Sequence, residues 1–517
     1  MKKKMMRYFE AGIFIMFIFM AALFCGPRTG FAEVKLKDSG DYTLTMTSYF
    51  RADAVMLKNN VTLDTNNSDD SNSYLGVDYG LDFDFKSNAE AGPEFYLRLE
   101  RNGPYDYSAP LFIHNTLSTS TARVERYRDE DLLPQVEEFW ADFPIASSAA
   151  RVKSGLYAHE VGHGLGLGGA YENYGASLYG ERGGFQWRFY YCRPDFVNKS
   201  YLGPRPDQDK QQGINYERAK ANFFALDAVM PFKKDAALQP YIGILIDDTN
   251  AKRSSYFSAP TRKDILGTLG ASWEAKLDRF SFGLEAARNF GKAKSGDESY
   301  KDVEHAGYAV YMDLKYDFAK FSPRSSLLYA SGNKVPQDLA GNGDIVLTSG
   351  KNRAFSNYSP FNSTVADSHY PGFENMPMVA MGNGNGLNYG VPRPGTFSDP
   401  FLPENLLLSA LGFDYNFSER LLFTFDWWHL RSAEKGVGMY DGGTKELSRD
   451  LGDEIDVCWS YAVNDNVLVD LSGGYFFPGK YYKEARDDAG SLFTPIVRGD
   501  GEANNAYQIE LSTTISF

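Results

Sequence analysis

The sequence predicts an all-β protein: a transmembrane antiparallel β-barrel of about eighteen strands, closed on itself, with an outward apolar face and an inward polar one. Three observations carry that expectation. The segment 507–517, YQIELSTTISF, alternates strictly, with Tyr507, Ile509, Leu511, Thr513, Ile515 and Phe517 on one face and Gln508, Glu510, Ser512, Thr514 and Ser516 on the other. Its length suits a tilted strand crossing a bilayer. Comparable segments recur along the chain, and their connections alternate between short and long. The composition agrees, being polar on average yet holding 34 Tyr and 38 Phe, as expected when only alternate residues face lipid and aromatic girdles mark both interfaces.

The first residues read as an address. Lys2, Lys3, Lys4 and Arg7 precede the apolar run Ala11 to Cys25, and Gly30-Phe31-Ala32 offers a small-x-small cleavage site, so a signal peptide over 1–32 is expected. Residues 33–517 would then form one barrel domain. The cut removes five bases and one acid, taking the formal charge from −14 to −18. That acidity argues against nucleic acid as a partner. No later run approaches the roughly 20 apolar residues of a transmembrane helix. Cys192 and Cys458, the cysteines left after the cut, make no disulfide framework and no metal-ligand spacing.

In order, strands are expected over 42–56, 74–85, 94–101, 136–143, 151–157, 173–182, 184–193, 220–232 and 237–247. The remaining nine fall at 265–277, 279–291, 305–318, 322–333, 405–417, 420–431, 452–463, 466–477 and 506–517. The second is the clearest: Leu75, Val77, Tyr79, Leu81, Phe83 and Phe85 alternate with Asp78, Asp82 and Asp84. An even count places both termini on the short-turn side, the periplasm in bacterial barrels. The long connections, including 102–134, 195–219, 334–404 and 478–505, would then be extracellular. The last strand ends on Phe517, resembling the closing strand that the barrel-insertion machinery recognises, which makes that machinery and outer-membrane lipid the expected partners.

Face assignment separates a barrel from a soluble sandwich. Rows such as Phe185, Trp187, Phe189, Tyr191 and Leu421, Phe423, Phe425, Trp427 are too continuous to leave in water. The opposite faces are too charged for a dry core. The expected pore-lining residues are Arg51, Asp53, Asp78, Asp82, Asp84, Arg98, Glu100, Glu138, Asp142, Arg151, Lys153, Arg188, Asp426, Asp456 and Asp470. Later strands add acids such as Asp227, Glu285 and Asp414. Inward bases concentrate on strands one, three, five and seven, so a mixed wall should face an almost purely acidic one. An acidic surplus favours cations. Eighteen strands are wide enough for an aqueous channel.

The run Gly452 to Asp456 (GDEID), a strand, a tight Asn-Asp turn, then GGYFFPGKYY at 473–482 and the final strand resemble the alginate export family of outer-membrane channels. The run Gly168 to Glu181 is similar in flavour. The resemblance covers about the last hundred residues. It implies an eighteen-stranded, porin-like barrel in the outer membrane of a Gram-negative-type bacterium, passing polysaccharide or small polar solutes without enzymatic activity, cofactor or metal.

One motif points elsewhere. His159-Glu160-Val161-Gly162-His163 matches HExxH, in which two His one helical turn apart bind zinc and the Glu activates water. A secreted zinc metallopeptidase is therefore an alternative. Against it, Gly162, Gly164, Gly166, Gly168 and Gly169 disfavour the helix, and Gly169 stands where the related metzincins place a third His. The other reading of 158–172 is a glycine-rich loop folded into the lumen as a constriction. A third possibility is a barrel-anchored adhesin or scaffold using the long segment 335–404, whose placement over or into the mouth the sequence leaves open.

Overall fold

The computed structural model describes residues 34–38, 41–58, 71–88, 92–101, 135–145, 149–157, 159, 161–166, 174–193, 221–233, 235–247, 261–295, 301–333, 350–355, 405–435, 437–440, 443–484 and 504–516. The expected signal peptide and the loops 102–134 and 195–219 lie outside the described residues, as do most of 334–404 and 478–505.

Eighteen strands form the wall. They are β1 (Tyr42–Lys58), β2 (Ser71–Ser87), β3 (Glu94–Arg101), β4 (Gln135–Pro144), β5 (Ala150–Leu156) and β6 (Tyr174–Arg182). Then come β7 (Phe185–Arg193), β8 (Ala221–Lys233), β9 (Ala236–Asp247), β10 (Thr261–Leu277), β11 (Phe280–Ser295) and β12 (Tyr308–Tyr316). The last six are β13 (Phe321–Ala330), β14 (Leu406–Ser418), β15 (Leu421–Ser432), β16 (Asp450–Asn464), β17 (Val467–Pro478) and β18 (Ala506–Ser516). Each pairs antiparallel with its chain neighbours. β18 pairs back onto β1, from Tyr49 opposite Ser516 to Lys58 opposite Tyr507, which closes the ring. Every expected strand is present within a few residues.

Among the described residues, closure removes the edges of the eighteen-stranded wall except for one short stretch. β18 stops opposite Tyr49, and the unpredicted strand Val34–Asp38 continues along the same edge, pairing with Thr43–Met46 of β1. The described ends therefore meet at the short-turn end. Those turns are tight: Gly183 and Gly184 link β6 to β7 at φ 61° and 83°, left-handed values that glycine adopts without a Cβ clash.

The outer face is apolar and aromatic. Near the short turns Tyr42, Phe85, Phe95 and Phe143 touch in series, with ring centroids 5.0, 5.6 and 5.5 Å apart. On the later strands Phe321, Phe413, Phe423 and Trp459 do the same at 5.2, 6.0 and 4.6 Å. Leu226, Leu269, Leu411 and Trp427 are exposed along the mid-height of the wall. Such a surface is stable only against lipid.

The interior corrects the expectation of an inner face polar throughout. Single strands change character along their length. On β15, inward Asp426 is followed by inward Trp428 and Leu430, the latter two fully buried; on β7, Arg188 is followed by Tyr190. The long-connection half of the lumen holds a packed apolar layer. Residues between strands complete it: Val161, Leu165, Phe355, Leu447 and Tyr482, the last on a short helix α1 (Lys480–Glu484). These segments fold back inside the ring, and the inner wall is apolar where they dock.

Candidate functional site: the barrel lumen

The charged layer lies toward the short turns and is built by register. Antiparallel pairing sets inward residues of adjacent strands side by side, so acids and bases meet across strands. Arg51 bonds Asp53 at 2.8 Å, Glu510 of β18 at 3.0 Å and Ser512 Oγ at 3.1 Å. Arg98 bonds Asp82 at 2.9 Å, and Tyr49 donates to Glu100 at 2.5 Å. Lys86 pairs with Asp84 at 2.6 Å. Arg151 bonds Asp142, itself buried, at 2.8 Å, and the Tyr179 hydroxyl donates to the same carboxylate. Arg188 reaches Asp227 on β8 at 3.0 Å.

Aromatic rings interleave with these charges. Tyr96 and Trp140 stack 5.4 Å apart, and Lys153 Nζ sits 3.7 Å over Trp140 and 4.6 Å from the Tyr157 centroid. The Trp140 indole N–H donates to Glu138 at 3.4 Å. Asp456 is buried on β16, and Asp470 is half-buried on β17. Asp78 stands opposite Arg51 in the ladder, and its side chain lies outside the described residues.

The later wall is not purely acidic, contrary to expectation. Arg324 of β13 bonds Asp426 through Nη2 at 2.6 Å and also bonds Asp414, which Lys315 of β12 approaches to 3.3 Å. Gly412 lies between Arg324 and Asp426 in the ladder, and a side chain there would collide with the Asp426 carboxylate. The glycine is what lets the guanidinium reach across a strand. The sequence signal was available: Arg324 alternates in phase with the inward residues of β13.

The HExxH segment is a strap of turns against the inner wall. Gly162 and Gly164 have φ 61° and 73°, and the Gly164 N–H donates to the Val161 carbonyl at 3.1 Å. The two His rings meet different parts of the wall: His159 stacks on Tyr190 of β7 at 4.1 Å, and His163 packs on Tyr311 of β12 at 5.0 Å. Glu160 lies outside the described residues. Among the described residues no group of His, Cys, Asp and Glu could hold a metal.

Glu285 of β11 anchors the strap. Its carboxylate, wholly buried, accepts the N–H groups of His163 at 2.7 Å, Gly166 at 3.2 Å and Leu165 at 3.4 Å, and the Tyr241 hydroxyl at 2.5 Å. A second anchor is Gln239, whose Oε1 accepts the Gly162 N–H at 3.1 Å. An unpartnered buried carboxylate would cost several kcal/mol; a turn presenting successive amides is a natural anion cradle. The glycines of HEVGHGLG thus serve a backbone path rather than a zinc helix. Burial, with Arg188 nearby, holds the His159 imidazole well below the ordinary histidine range. Asp227 lies 3.8 Å from it but is already taken by Arg188 and Gln239.

A closed eighteen-stranded ring, aromatic toward lipid and charged within, defines a transmembrane barrel of the outer-membrane type. Comparisons with known proteins add the following. No family model matches the chain, and no curated protein matches it. Among solved structures it is similar to Pseudomonas aeruginosa OpdO, with 12% identity, a TM-score of 0.49, and coverage of 92% of this chain and 97% of that one. It is also similar to Pseudomonas aeruginosa OpdQ, with 10% identity, a TM-score of 0.49, and coverage of 92% and 98%. Pseudomonas aeruginosa OccK8 (OprE) gives 9%, 0.48, 92% and 98%. These similarities are too low to pass on a substrate, and the architecture stands on its own closed ladder.

Proposed function

We propose that the protein is a passive outer-membrane channel for small polar solutes, with its short turns and both termini in the periplasm and its long connections outside. The observation that carries this reading is the inward layer of cross-strand ion pairs. Charged side chains ringing the inside of a lipid-facing barrel have no packing use there, and they offer a polar path. The channel is expected to prefer cations, because acids outnumber bases on the wall. The test is reconstitution in planar bilayers under a salt gradient. Discrete conductance steps and a cation-selective reversal potential at low salt are expected; an electrically silent, correctly folded barrel would sink the reading and leave an adhesin or scaffold role in front.

Saccharides remain within the proposed solute class through the alginate-export resemblance. Part of the run behind that resemblance has a packing role: Phe476 is buried and meets Tyr482 of α1 edge-on at 6.0 Å. A long acidic polysaccharide fits poorly with an acidic wall. Liposome swelling in a size series of neutral and acidic sugars separates these solutes.

A further inference from the structure

We propose that Glu285 is the positioning residue of the channel's constriction: its buried carboxylate holds residues 161–166 against the inner wall, and this strap sets the size of solute that passes. The inference rests on the channel reading above and deepens it.

The geometry is that of a latch. Other inward acids, such as Asp82, Asp142, Asp227 and Asp426, bond arginines of the wall itself. Glu285 instead spends its acceptors on the backbone of a segment about 120 residues earlier in the chain, together with Tyr241 from β9. The strap lies flush on β9, β10 and β11. A Cβ at Gly162 would stand 2.5 Å from Ser272 Cβ and 3.0 Å from Glu285 Oε2, and one at Gly166 would strike the Tyr241 ring. Val161 and Leu165 meanwhile fill the apolar layer, at 1% and 0% exposure. The strap therefore occupies lumen that an eighteen-stranded ring would otherwise leave to water, and polar contacts to one carboxylate and to Gln239 fix its height there.

The chemistry selects the probe. In Glu285→Gln, either amide orientation turns an NH2 group toward donors, since Oε2 accepts from His163 and Leu165 while Oε1 accepts from Gly166 and Tyr241. The shape is kept, one oxygen and its accepted bonds are lost, and an NH2 group faces a strap or wall donor in their place. Gly162→Ala attacks the same contact from the strap side, with φ at 61° and no room beside Ser272.

The experiment uses the full chain with Cys192→Ala and Cys458→Ala, plus Val161→Cys as a reporter for a membrane-impermeant maleimide. Slow labelling is expected in this parent. Labelling about tenfold faster or more is expected on adding Glu285→Gln or Gly162→Ala, the scale of a local opening, with no further gain from the two combined. Both variants should also show larger single-channel conductance and admit larger neutral sugars into liposomes. Unchanged labelling in folded variants overturns the latch. Faster labelling with unchanged conductance and sugar cut-off overturns the constriction. Loss of the folded barrel in both variants assigns the contact to wall assembly and also overturns the proposal. A parent that passes neither ions nor sugars overturns the channel reading itself, and the constriction with it, whatever the labelling.

Discussion

Near the short turns, the inner wall is a lattice of ion pairs whose members belong to the same, adjacent or next-adjacent strands. Near the long connections, the inner faces of the same strands are apolar and covered by segments folded in from between strands. The first region is solved locally, by register; the second needs the ring to close before its parts can meet. The two regions should therefore differ in sensitivity to substitution. A half-exposed pair at the charged end is screened and contributes little, whereas buried groups of the packed end, or pairs sunk in the wall, have no solvent to fall back on.

The largest expected effects come from breaking buried contacts. Arg324→Met takes the guanidinium from Asp426, whose side chain is 4% exposed, and should destabilise the barrel by about 3–5 kcal/mol. Leu408→Ala, in the apolar layer at 0% exposure, should cost about 2–5 kcal/mol. By contrast Arg98→Met, where arginine and aspartate are 30% and 25% exposed, should cost under about 1 kcal/mol. Denaturant titration of the heat-modifiable band on unboiled gels ranks the three. Equal losses for Arg98→Met and Leu408→Ala would erase the distinction between the regions, and equal losses for Arg98→Met and Arg324→Met the one between exposed and sunken pairs.

A smaller change is expected in selectivity. Neutralising Arg51, Arg98 and Arg188 together should strengthen cation preference, at a cost in stability because Arg51 and Arg188 partner the buried Asp53 and Asp227, so selectivity is read on variants that keep the heat-modifiable band. The preference should fade as salt rises, since the screening length is about 10 Å at 0.1 M and about 3 Å at 1 M. Reversal potentials across a salt series check this; anion preference in the unmodified protein at low salt would show that the wall's charge balance has been misjudged.

The smallest effect expected is one of pH on the packed region. The His159 imidazole is held below its ordinary range by burial and by Arg188, so the docked strap resists its protonation. Its contribution to docking is fully present above about pH 6.5, the ordinary histidine value, and declines as pH falls below it. Divided by the rate of an unfolded thiol at the same pH, because maleimide reacts with the thiolate, labelling of the introduced thiol at position 161 should therefore accelerate modestly between pH 7 and pH 5. His159→Asn should flatten that dependence, and an unchanged slope in the variant would assign it to other groups.

The eighteen strands, their faces and most of the charged layer were legible from the chain, because side chains alternate with period two along a strand and each strand announces its own lining. Arg324 is legible in the same way, as one base among the inward acids of the later strands. In the HEVGH segment the glycines were the legible part, since they mark a path of turns with left-handed backbone at Gly162 and Gly164. The strand Val34–Asp38 went unseen because five residues carry too little pattern.

The wall follows from the chain alone, since local alternation is a property of sequence neighbours. What fills the wall depends on the closed ring. Glu285 meets the amides of a strap about 120 residues away, and Arg324 meets Asp426 across 102 residues, partners that no spacing rule links. They become neighbours when the ring closes and lipid outside leaves every buried polar group to be satisfied from within.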